Sequence, residues 1–360
     1  MDCSRRLFAR TLIASDILMY GCVHPHCFVL QVPPPPFGQT NMQLISATPF
    51  LRDLYRLVNM SQILKLADDT AKYGALYTKL AAEYHSTWYN DAVQGYADGQ
   101  QAANVLALSL PGVVPANLTA TVLGSLVNDI RSRGQWTTGI VSIAQLFPVL
   151  STNGQHDLAV QLALKRDYPS YGWSFNNPYE NATTLWEIWN APSSDAGMNS
   201  RNHHMFASIG GWFYRHLAGI NVNALSPILI RPRMTADHTL LPVVAAEVVT
   251  VAGAVAVRYE RRSVGEWTME VVVPSGTQAL LTLDPPLPAT RCARLRESGR
   301  VVIVARKEGR LGEVLEVREV AGVVEVTEGA ERQVELLMQS GRYSFEAEWR
   351  LSAESAHATE

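Results

Sequence analysis

Near Leu225 the chain changes period. Before that point apolar residues recur every three or four positions. After it they tend to alternate. A period near 3.6 lays apolar side chains along one face of a helix, and a period of two lays them along one face of a strand. The chain is therefore predicted to hold a helical part followed by an all-β part. The later stretches "LLPVVAAEVVTVAGAVAVRYERR", "GEWTMEVVVPSGTQALLTL", "GRVVIVARKEG", "EVLEVREVAGVVEVTEG" and "GRYSFEAEWRL" are valine-rich and are broken by Gly, Pro, Ser and Asp. They predict a β-sandwich of roughly 125 residues.

Ahead of the helical part, "QVPPPPFGQT" (residues 31–40) is a stiff proline break. The expected organisation is an atypical leader over 1–40, a helical domain over 41–223, a sandwich over 224–352 and a loose tail over 353–360. In the helical part, Leu54, Leu57, Val58, Ile63, Leu64 and Leu66 mark one face of a first helix. Tyr73, Leu76, Tyr77, Leu80, Tyr84 and Trp88 mark a second, with Asp68 or Asp69 as its N-cap. Further helices are expected to end at Pro111–Gly112, at Gly134 as a C-cap, at Gly154 after a kink at Pro148, and before Pro169. "TLWEIWNAP" reads as a short helix broken by Pro192, and "NHHMFASIGGWFYRHLAGI" as a glycine-containing one. Short turns joining successive helices predict helical hairpins in a bundle, a solenoid or a toroid. No fixed-period repeat supports a regular solenoid.

Composition excludes some partners. The chain has 360 residues, 47% hydrophobic and 18% charged, which supports more than one core. A formal net charge of -3 gives no electrostatic reason to expect nucleic acid or an anionic membrane. Four cysteines are too few for a disulfide framework. "CVHPHC" (residues 22–27) carries ligand-type residues without a second half-site, and an unstructured leader is the plainer reading. Residues 7–22 are apolar after Arg5 and Arg6, but Asp16 interrupts them and no small-residue cleavage site follows. No phosphate loop, dinucleotide fingerprint, metalloprotease helix, serine elbow or reactive-cysteine context occurs, so no cofactor or metal is expected.

"YENATTLWEIWN" (residues 179–190) places Glu187 between Trp186 and Trp189. On a helix the two indoles would share a side and Glu187 would point elsewhere. By spacing alone the tryptophans read as packing residues and Glu187 as solvated. In "SRNHHMF" (residues 200–206), His203 and His204 are adjacent and cannot face one metal from a helix, although one imidazole could bind a neutral substrate. His156 and His216 read as surface or satisfied core residues. "QWTTGI" and "DYPSYGW" mix polar and aromatic residues at turns, as the mouth of a helical toroid would, or as ordinary turns do.

The ordered series "GYADGQQAANVLALSLPGVVP", "WTTGIVSIAQLFPVLSTNGQHDLAVQLALKRDYPSYGW", "NATTLWEIWN" and "SRNHHMFASIGGWFYRHLAGI", followed by a β-module, resembles the bacterial-type α-L-rhamnosidases, family 78 of the glycoside hydrolases. The likeness covers roughly residues 41–350. It implies part of an (α/α)6 toroid followed by a C-terminal β-sandwich, and inverting hydrolysis of terminal α-L-rhamnose. It implies that Glu187 is the general base and that His203 contacts the bound rhamnose; Trp186, beside Glu187, is the candidate for the aromatic wall that glycoside hydrolysis stacks against the sugar ring. A rhamnose-containing glycoside or oligosaccharide is the implied partner.

The sequence also departs from that family. The general acid belongs to an acidic, tryptophan-containing segment of the toroid, and residues 1–40 hold no such run. Fewer helices are expected than the twelve of a full toroid. Glu180, in the same loop as Glu187, is a conceivable stand-in, and Gln135 stands where relatives often carry histidine. The expectation is a hydrolase chain lacking its acid segment, poorly active alone, with exposed helix faces that invite association, a homo-oligomer included. The alternative is a non-catalytic carbohydrate-binding or scaffold protein derived from that fold. Neither reading fixes the aglycone or the compartment.

Overall fold

A computed structural model describes residues 41–191, 200–222, 227–286, 290–307, 313–328 and 332–351. The leader, with its "CVHPHC" and apolar stretches, and the tail lie outside the described residues. Two compact units result, one drawn from Met1–Val149 and Leu164–Ser208, the other from Leu150–Ala163 and Ile209–Glu360.

The first unit is helical. Its opening hairpin is α1 (Met42–Ile63) and α2 (Ala67–Trp88). Asn41 caps α1, its Oδ1 accepting from the amides of Gln43 and Leu44 at 3.0 and 3.1 Å. Leu44, Leu51, Leu54 and Val58 of α1 share one core with Tyr77, Leu80, Tyr84 and Trp88 of α2. That stripe is narrower than the sequence suggests. Leu57, Ile63, Leu64, Leu66 and Leu76 are exposed, and Leu64 and Leu66 lie in the turn beyond the end of α1. The capping expectation also fails. Helix α2 begins at Ala67 after Leu66, with no side-chain cap, and Asp68 and Asp69 sit inside its first turn. There they complement the helix dipole instead.

A two-strand hairpin, β1 (Tyr89–Asn90) and β2 (Gly95–Tyr96), leads into α3 (Gln101–Leu108) and α4 (Ala116–Arg133). Gly134 ends α4 in the left-handed conformation at φ 64°, with the Gln135 amide donating back to the Ile130 carbonyl at 3.2 Å. Helix α5 (Ile143–Thr152) runs through Pro148. Helix α6 (His156–Leu164) stops before Pro169 as expected, and α7 (Tyr171–Asn176) follows it. From His204 the chain winds as a 3₁₀ turn to Ser208, an α-helical turn over Ile209–Trp212, and a π-helical turn over Phe213–Leu217. The one glycine-containing helix expected there is therefore a run of changing pitch.

The second unit takes in most of α6 and the turns from Ile209 to Leu217, and is otherwise mostly β. One seven-stranded antiparallel sheet runs β11–β10–β9–β14–β7–β6–β5, comprising Glu313–Val317, Arg300–Lys307, Thr290–Glu297, Gly341–Leu351, Glu266–Val273, Gly253–Arg261 and Val243–Thr250. A five-stranded sheet runs β12–β13–β8–β4–β3, comprising Val323–Glu328, Val334–Met338, Ala279–Leu283, Ile228–Ile230 and Ile220–Asn221, with β4 and β8 parallel. Alternate residues of both sheets enter one core. Val255, Val257, Tyr259, Met269, Val271 and Phe345 come from the larger sheet, and Ile230, Leu281, Leu336 and Met338 from the smaller. This is the sandwich the alternation predicts. Gly219 turns the chain at φ 74°, where a Cβ would lie 2.1 Å from the Arg231 carbonyl carbon, so only glycine fits without backbone movement.

Candidate active site

Several turns of the helical unit are held by buried side chains. The Gln101 amide, fully buried at the start of α3, donates to Asp129 Oδ2 at 2.8 Å and to the Gln135 carbonyl at 3.3 Å. Its Oε1 accepts from the Thr137 amide at 2.8 Å. One side chain thus fixes both sides of the "QWTTG" turn. Buried Asn104 does the same for β2, accepting from the Tyr96 amide at 2.8 Å and donating to the Gly99 carbonyl at 3.3 Å.

The "QWTTG" turn places Trp136 in a cluster of rings. Trp189 stacks on Phe206 with centroids 4.1 Å apart, and meets Trp136 and Tyr171 edge-on at 5.5 and 5.4 Å. The Tyr171 hydroxyl donates to the Phe206 carbonyl at 2.9 Å, and burial pushes its pKa well above the usual phenol range. Three polar atoms of this turn, Trp136 Nε1, Thr138 Oγ1 and Ser142 Oγ, are buried without a hydrogen-bond partner among the described residues.

The segment around Glu187 is not a helix. Residues 183–191 form bends and a turn. Their backbone bonds go instead to residues 200–203. The Glu187 amide donates to the Ser200 carbonyl at 2.9 Å and the His203 amide to the Leu185 carbonyl at 2.8 Å. The Thr184 hydroxyl donates to the Arg201 carbonyl. This overturns both the expected helix and the side-sharing argument built on it. Glu187 is only 7% exposed, against the solvated position its spacing suggests. Its Oε2 accepts from the Ser200 amide at 2.8 Å. A main-chain N–H thus fixes one carboxylate oxygen, and a buried carboxylate needs such a partner.

The three residues singled out by sequence meet on this pair of segments. Trp186 is buried, with the Arg201 guanidinium 5.2 Å from the centre of its ring. His203 is half-buried. Its Nδ1 accepts from the Met205 amide at 3.3 Å, and its ring lies parallel to that of exposed His204 at 5.5 Å. An Nδ1 used as acceptor leaves the ring proton on Nε2, a donor suited to a hydroxyl. Glu180 pairs with Arg201 at 2.5 Å. Residue patterns gave no sign of Ser200, which acts through its main chain. The charge in "SRNHH" was the one available hint of Arg201. Among the described residues, no group of three or more His, Cys, Asp or Glu side chains could hold a metal, and no helix is long and apolar enough to cross a membrane.

Comparison with known proteins gives this arrangement a class. Residues 28–217 match the bacterial alpha-L-rhamnosidase 6 hairpin glycosidase domain, and residues 226–296 match the bacterial alpha-L-rhamnosidase C-terminal domain. A helical hairpin domain followed by a β-rich domain is the architecture of that class of glycoside hydrolases. The chain belongs to the bacterial alpha-L-rhamnosidase family. An alpha-L-rhamnosidase of Streptomyces avermitilis is 32% identical over 225 residues, which is 60% of this chain and 21% of that protein. One from Formosa agariphila is 26% identical over 326 residues, 87% of this chain and 32% of that protein. The solved alpha-L-rhamnosidase from Dictyoglumus thermophilum superposes with a TM-score of 0.71 at 26% identity, over 88% of this chain and 33% of its own. The chain thus spans about a fifth to a third of the length of these relatives.

Proposed function

We propose that this chain carries the general-base side of an inverting α-L-rhamnosidase site. The observation that supports the reading most is the Glu187 carboxylate. It is buried, follows Trp186 and precedes Trp189 closely in the chain, and is fixed by the Ser200 amide, within the motif order of the family. In this reading Glu187 takes a proton from the attacking water. His203 offers Nε2–H to a sugar hydroxyl. Trp186 belongs to the wall of the substrate site, with the Arg201 guanidinium over its ring. The substrate is a terminal α-L-rhamnoside.

An inverting mechanism also needs an acid on the leaving oxygen, about 6.5–9.5 Å from the base. No residue is assigned that role. Glu180 is a poor choice, because its Oε1 is engaged by Arg201. Turnover by this chain alone is therefore expected to be weak. Copies of the chain are proposed to associate through the apolar end of the first hairpin, where Met60, Ile63 and Leu64 are exposed, and sedimentation velocity tests this.

Hydrolysis of an aryl α-L-rhamnoside, with the anomer of the released sugar followed by NMR, tests the main reading. Slow release of the inverted anomer, lost in Glu187→Gln, is expected. Retention of configuration, or unchanged turnover in Glu187→Gln, would refute it. L-Rhamnose binding that survives in Glu187→Gln but fails in His203→Ala, with no turnover in any form, would replace it with a sugar-binding role.

A further inference from the structure

We infer that Glu180 and Arg201 form a positioning pair that holds the Glu187 carboxylate in its working place through Ser200. The inference rests on the reading of Glu187 as the base. It assigns a role to two charged residues that the mechanism above leaves unused.

Asn177 is buried, at 6% exposure, and uses both ends of its amide. Its Oδ1 accepts from the amides of Tyr179 and Glu180, each at 2.9 Å. Its Nδ2 donates to the Ser174 carbonyl at 3.1 Å and to the Glu180 carbonyl. The backbone of Glu180 is thus fixed at both its amide and its carbonyl. Glu180 Oε1 then accepts from Arg201 Nη1 at 2.5 Å.

Arg201 is held in two further directions. Its Nη2 donates to the Ala191 carbonyl at 3.4 Å, and its guanidinium lies over Trp186. Ala191 and Trp186 flank the Glu187 segment on either side. The residue before Arg201 is Ser200, whose amide holds Glu187 Oε2 and whose carbonyl takes the Glu187 amide. A continuous series of contacts therefore runs from Asn177 through Glu180, Arg201 and Ser200 to the carboxylate. Arg201 pins the segment that supplies that carboxylate with a main-chain donor.

The pair is half-exposed, with side chains at 42% for Arg201 and 51% for Glu180. Such an ion pair contributes little to global stability. Its value lies in geometry, since small displacements of a reacting group cost far more in rate than in folding. Arg201 is suited to this task because its planar fork serves Glu180 and Ala191 while its face covers an indole. Lysine cannot do all three.

The experiment uses the full chain with Arg201→Ala, Arg201→Lys and Glu180→Gln. Two readouts are taken, kinetics on an aryl α-L-rhamnoside and amide hydrogen exchange at Ser200 and His203. The expected result is a nearly unchanged thermal midpoint and a kcat lower by about ten-fold or more in Arg201→Ala, with KM within about two-fold. Added guanidinium should restore part of that kcat and none in Glu187→Gln. Exchange at Ser200 should quicken in Arg201→Ala and Glu180→Gln. Unchanged Ser200 exchange would overturn the pair, as would a raised KM with kcat intact, which would make Arg201 a substrate contact. Turnover that persists in Glu187→Gln would overturn the base assignment instead, and Ser200 exchange would then decide the pair alone.

Discussion

The two units spend their buried polar groups differently. In the helical unit Gln101, Asn104, Asn177 and Glu187 each bond main-chain groups of turns, and the last two belong to the loops around the aromatic cluster. In the β unit buried and half-buried polar groups fasten connections around an apolar core. Asp157 accepts from the amides of Ala236 and Asp237 at 2.9 and 3.3 Å, and Arg261 donates to the carbonyls of Thr235 and Val264. His156 Nδ1 meets Ser151 Oγ at 2.9 Å, and that oxygen accepts from Trp212 Nε1 at 2.8 Å. The proposed site thus draws on the turns of the first unit, while the polar groups of the second bond within their own unit.

Four measurements can break or sharpen that contrast. Glu187→Gln should lower kcat by about 10²–10⁴-fold, the range for removing a general base, with little change in the unfolding midpoint. A stability loss that matched the rate loss would show that Glu187 is structural. Phe345→Ala should do the reverse. Its fully buried ring lies in the sandwich core, so unfolding in urea should show a loss of about 3–5 kcal/mol, with turnover per folded molecule unchanged.

The third measurement is pH dependence in the β unit. Burial, together with nearby Arg233 and His216, pushes His156 down to about 4 from an ordinary 6.5. Asp157 opposes this shift. His216 is lowered to about 4 as well, by burial and by Arg233 and Arg215. The fold prefers neutral imidazoles, so this stability is whole above pH 6.5 and is lost as pH falls toward 4. The His156 share is on the order of 3 kcal/mol. Urea unfolding at stepped pH should show that slope, and His156→Gln should flatten it. The smallest effect concerns Thr138, whose buried hydroxyl lacks a partner among the described residues. Thr138→Val should raise the thermal stability by up to about 1 kcal/mol, because no hydrogen bond is lost with the hydroxyl.

How well the sequence spoke depended on the range of the interaction. The cap at Gly134 and the alternation of β6 and β7 were legible, because a left-handed residue and a pleat are local properties. The face of α1 was half legible. Periodicity marks an apolar stripe but does not say where the covering helix ends, so Leu57 and Ile63 were read as buried. "TTLWEIW" was misread as helix because the backbone partners of Leu185 and Glu187 lie thirteen or more positions away. Helix spacing then made Glu187 look solvated, and only the order of motifs pointed to it. Ser200 was invisible for a different reason: any residue other than proline offers the same N–H.

The Asn177 clamp also bears on how the protein ages. Conversion of this amide to a carboxylate would turn two donated bonds, to Ser174 and Glu180, into oxygen facing oxygen. Asparagine most often loses its amide when the nitrogen of the next peptide attacks the side-chain carbonyl, and that nitrogen must carry a hydrogen. Residue 178 is proline, whose ring nitrogen has none. The loop that carries Glu180 is therefore guarded against the commonest slow chemical damage to asparagine, and stored protein should keep this clamp after exposed Asn-Ser and Asn-Gly sites elsewhere in other proteins have decayed.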